Sequence, residues 1–69
     1  MEIVFDRHIL SIRPNWDRTL YVCILMSRIN PFRELEFAVF PSSNSSELAM
    51  NISLVMRGVA ESEHFDLSA

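Results

Sequence analysis

The chain has 69 residues, 49% of them hydrophobic, with six arginines, no lysine and nine acidic residues for a net charge of −3. That length holds one domain at most, and the mild acidity argues against non-specific nucleic-acid binding, which needs a dense basic face. One glycine cannot build a phosphate-binding loop, and one cysteine, Cys23, excludes a disulfide framework and fits a reducing, cytoplasmic setting.

Residues 2–13, EIVFDRHILSIR, are rich in branched and aromatic side chains and predict a strand. The alternation slips a register around residues 6–8, which predicts a bulge or two short strands with a kink. Pro14 ends the element. Residues 14–18, PNWDR, form a polar turn that carries the only tryptophan.

Residues 19–29, TLYVCILMSRI, are the strongest strand. Both of its faces are apolar through the middle, as in a central strand covered on two sides or covered by a partner. Tyr21, Leu25 and Ile29 share one face, and Leu20, Val22, Ile24 and Met26 share the other. Asn30-Pro31 signals a turn. Asn30-Pro31-Phe32 also resembles the tripeptide ligand of endocytic EH domains, but a turn with a core-directed phenylalanine is the preferred reading. Residues 33–40 alternate Leu35, Phe37 and Val39 against Glu34, Glu36 and Ala38, a strand with one wet face.

Residues 47–60, ELAMNISLVMRGVA, satisfy two periods at once. In steps of two, Leu48, Met50, Ile52, Leu54 and Met56 read as a half-buried strand. At 100° per residue, Leu48, Ile52, Val55, Met56 and Val59 join Ala49 and Ala60 in one apolar arc, with Met50 and Leu54 intruding on the polar side. Local chemistry favours a helix over residues 46–57. Asn44 and Glu47 resemble a capping box, Arg57 suits the last turn, and Gly58 is placed to stop the helix. Residues 61–69 read as an acidic tail that frays.

The short connections imply antiparallel neighbours. The expected fold is therefore α+β: a three-stranded antiparallel meander with one C-terminal amphipathic helix on one face, all within a single domain spanning residues 1–69. The alternative is an all-β sheet of four or five strands.

The catalytic inventory is thin. His8 and His64 lie near opposite ends of the chain, and Glu34 with Glu36 reads best as a solvated strand face. Glu61, Glu63, His64 and Asp66 lack the ligand types of a strong metal site. No enzyme activity, cofactor or metal is expected. No apolar run is long enough to span a bilayer and no signal-peptide pattern is present, so no membrane association is expected.

Binding has better candidates. Arg13, Trp16 and Arg18 place an indole between guanidiniums, the side chains most enriched at interface hot spots. The competing reading folds Trp16 back as a lid on the sheet, with Arg18 stacked on it. The favoured partner surface is the open sheet face beside that turn, with Tyr21 and Leu25 included. The expected function is a small protein-binding module, an inhibitor or adaptor of a larger protein, comparable in size and type to those of phages and mobile elements. The alternative is a structural subunit of a homo-oligomer, such as a homodimer, or of a larger assembly.

Overall fold

A computed structural model describes residues 1–29 and 33–67. Four strands, β1 (Glu2–Val4), β2 (His8–Pro14), β3 (Tyr21–Ser27) and β4 (Glu34–Val39), precede one helix, α1 (Ser45–Ser62). Every strand pairs antiparallel with its sequence neighbour, in the order β1-β2-β3-β4. The α+β class and the C-terminal helix are as expected. The strand count is four rather than three.

The extra strand comes from residues 2–13, where the register slip is a full reversal. Ile3 lies opposite Leu10 and Val4 opposite Ile9. The Phe5 N–H donates to the His8 carbonyl at 2.8 Å and closes the turn. The Arg28 guanidinium, reaching from beyond β3, donates to the carbonyls of Phe5 (2.7 Å) and Asp6 (3.3 Å). The turn is thus held by a distant arginine rather than by glycine or proline, the usual local signals. The expected turn at Asn30-Pro31 lies outside the described residues.

Strand register sorts the side chains onto two faces. His8, Leu10, Ile12 and Pro14 of β2 align with Ser27, Leu25, Cys23 and Tyr21 of β3. Leu35, Phe37 and Val39 of β4 continue this face. Helix α1 covers it, placing Ile52 and Ala60 in one core with Leu10, Cys23, Leu25, Phe37, Val39 and Phe65. The opposite face carries Val22, Ile24 and Met26, half-buried, beside exposed Glu34 and Glu36.

Asn44 caps the helix as expected, its Oδ1 accepting from the N–H groups of Ser46 (2.9 Å) and Glu47 (3.3 Å). Gly58 does not end it. Val59 and Ala60 still have core to bury, so the helix runs on to Ser62. It stops at His64, which takes the left-handed conformation (φ 55°) usually given to glycine. The Phe65 N–H then donates back to the Ala60 carbonyl at 2.8 Å and that of His64 to Glu61 at 3.3 Å, a Schellman closure. Its hydrophobic contact is the burial of Phe65 and Ala60. Up to Phe65, the acidic tail is therefore tied to the core.

Candidate functional site

A four-stranded sheet is too wide for one helix. Strands sit about 4.8 Å apart and a helix with its side chains is about 10 Å across, so one helix covers about two strands. Helix α1 packs against β4, at one side of the sheet. The β1–β2 half of the same face is left as an open apolar groove of about 620 Å³. Ile3, Leu10 and Ile12 form its floor, Ala49, Ile52 and Met56 its helical wall, and Pro14 and Tyr21 one end. Among the described residues no charged side chain lines it.

Pro14 and Tyr21 also begin and end the connection between β2 and β3. That loop is held by its own polar side chains. The Asn15 N–H donates to the Leu20 carbonyl (2.9 Å), and the Leu20 N–H returns to Asn15 Oδ1 (3.2 Å). Asp17 Oδ1 accepts from both the N–H (3.1 Å) and the hydroxyl (2.7 Å) of Thr19. These bonds hold the Asp17 carboxyl below its ordinary range, with the Thr19 hydroxyl the largest cause. Arg18 sits in the left-handed region at φ 61°, a position that costs a side-chain-bearing residue about 1 kcal/mol. At the tip of this ordered loop Trp16 is 94% exposed. It does not lie over the end of the sheet as a lid.

The residues singled out from sequence are divided by the fold. Trp16 and Arg18 stand exposed on the loop, and Arg13 is exposed beside it on the face away from the helix. Tyr21 is half-buried at the end of the groove. Leu25 is 0% exposed beneath the helix and belongs to the core. The helix took the face of Tyr21 and Leu25, which leaves the Val22, Ile24 and Met26 face open. Sequence reasoning missed the groove, because seeing Ile3, Phe5 and Ile12 as one surface requires the β1–β2 reversal.

The titratable groups have structural surroundings. His8 is buried against the Phe5 ring, with centroids 4.7 Å apart, and its Nδ1 has no hydrogen-bond partner. Burial pushes the Cys23 thiol above its ordinary range. Arg33 lies over the Phe65 ring at 5.7 Å and donates to the Glu63 carbonyl, bracing the helix C-terminus. Among the described residues no group of three or more His, Cys, Asp or Glu is placed to hold a metal ion, and no helix is long and apolar enough to cross a membrane. Comparison with protein-family models, curated proteins and solved structures finds no match to this chain.

Proposed function

We propose that this chain is a non-enzymatic protein-binding module that inhibits or adapts a larger protein through its β2–β3 loop. The observation that carries the reading is Trp16, 94% exposed on a loop whose backbone is already ordered by Asn15, Asp17 and Thr19. A large rigid side chain on a preorganised loop loses little entropy on binding, which is what makes an interface anchor effective. Arg13 and Arg18 flank it on a chain that is otherwise acidic. The matching partner surface is an apolar pocket for the indole, rimmed by carboxylates that accept charge-assisted bonds from the guanidiniums.

Affinity capture from the native host, followed by titration of the recovered partner against variants, tests the reading. Trp16→Ala is expected to weaken binding by roughly thirtyfold or more, the loss typical of a hot-spot aromatic. Its far-UV CD spectrum should stay unchanged, because Trp16 touches no core residue. A partner that binds Trp16→Ala and Arg18→Ala as tightly as the parent chain would overturn the proposal.

A further inference from the structure

We infer that the groove beside α1 is filled by the helix of a second copy of this chain, giving a two-fold dimer with both helices side by side between two sheets. This goes beyond the Trp16 loop, which does not line the groove.

Three features point to a helix as occupant, and a fourth to this one. The uncovered strip is two strands wide, the width one helix covers. Its helical wall presents Ser45, Ala49 and Ser53 at intervals of four, small side chains that let a neighbouring helix come close. Its lining carries no charged side chain among the described residues, so the occupant has to bring an apolar ridge. The chain itself supplies such a ridge. Met50 and Leu54, one turn apart on the outer side of α1, are 61% and 58% exposed and point away from their own sheet.

Two-fold symmetry uses these surfaces together. With the copies face to face, each ridge enters the other copy's groove and the two small-residue walls meet across the axis. Each helix is then covered on both sides, and each sheet face carries two helices. A standard interface takes about 800 Å² from each partner, roughly a sixth of the 5085 Å² this chain exposes. A ridge and a groove from each copy contribute to that area. Such a dimer displays two Trp16 loops on one particle.

Sedimentation velocity over a dilution series, with CD as the control for folding, tests this. The parent chain is expected to dimerise. Leu54→Glu removes two buried leucines per dimer and sets carboxylates against apolar floors, which weakens dimerisation by roughly a thousandfold. Met50→Glu acts the same way, and both positions are exposed in the monomer, so the fold survives. Ile3→Arg in the groove floor is also expected to be monomeric. Mixing it with Leu54→Glu should restore a heterodimer, because one groove then pairs arginine with glutamate while the other keeps its native contact. Trp16→Ala should leave the dimer intact. A parent chain that stays monomeric at every concentration overturns the inference and leaves the groove to another protein's helix. A dimer that survives both Leu54→Glu and Met50→Glu overturns it as well, because the copies then meet elsewhere.

Discussion

The Asn15 amide donates to the Thr19 hydroxyl at 3.1 Å, and that hydroxyl donates on to Asp17 at 2.7 Å. This relay crosses the base of the loop that lifts Trp16 into solvent. Replacing Asn15 by alanine removes the amide–hydroxyl bond and the bond to the Leu20 N–H together. The expected cost is about 1 kcal/mol of stability, since these exposed bonds have water as an alternative partner. The sharper effect is on order. Steady-state anisotropy of the single tryptophan should fall in Asn15→Ala, and unchanged anisotropy would show that the backbone bonds hold the loop alone.

Acid should loosen the same loop. The Asp17 carboxyl is held below its model value of 3.8 by its bonds to Thr19. A depressed folded-state value means that the ionised group's contribution is fully present above the unfolded value and is lost as pH falls through the folded one. The change therefore begins below about pH 4 and leaves neutral solution unaffected. Amide chemical shifts of Thr19 followed through acid titration should show this step, and Asp17→Asn should abolish it. A Thr19 shift that moves near neutrality would contradict the assignment.

Two substitutions should strengthen the helix. Gly58 is helical, has an ordinary φ, and an added Cβ would meet nothing within 4 Å. Gly58→Ala should raise stability by about 1 kcal/mol in chemical denaturation. His64→Gly relieves a left-handed residue and should add about as much. Destabilisation by Gly58→Ala would mean that the outer side of the helix is covered in solution.

Leu25→Ala separates core from surface. Leu25 is fully buried under α1, so truncation should cost 2–5 kcal/mol, the usual range for a core leucine. The protein that remains folded should bind a partner as the parent does. A Leu25→Ala chain that keeps its stability and loses binding would return this residue to the interface.

Cys23 offers a reporter for the same core. Its thiol is buried on the central strand and resists ionisation. Modification by a thiol reagent should follow global unfolding, and rise in step with denaturant until the transition. Rapid labelling under native conditions would place β3 nearer the surface than the fold has it.

Much of this architecture was legible in the residues. Asn44 announces the helix start because its side chain performs the cap, and the 33–40 alternation places Leu35, Phe37 and Val39 on the covered face. The helix–strand ambiguity of residues 47–60 resolves through that cap. Two features were not legible for a shared reason. The β1–β2 turn depends on Arg28, more than twenty positions away, and the helix end depends on what Phe65 finds in the core. Neither is a local signal. The binding loop was visible as a composition of Trp and Arg, but its order rests on side-chain bonds that only the folded turn brings together. The assignment of Leu25 to a partner failed because alternation gives two faces without saying which one the helix takes.

Strand β1 has three residues, all exposed, and pairs only with β2. It is therefore the part of the sheet that detaches at least cost, and in hydrogen exchange its opening should be the fastest of the ladder. The Ile12 amide belongs to β2 yet donates to the Met1 carbonyl at 2.8 Å, so its exchange reports the loss of β1. The N–H groups of β2 that bond to β3 should exchange only with the whole domain. Ile3 lines the groove from this weakly held strand. The width of the groove is then set by an equilibrium, and whatever occupies it should slow exchange first at Phe5 and Ile12.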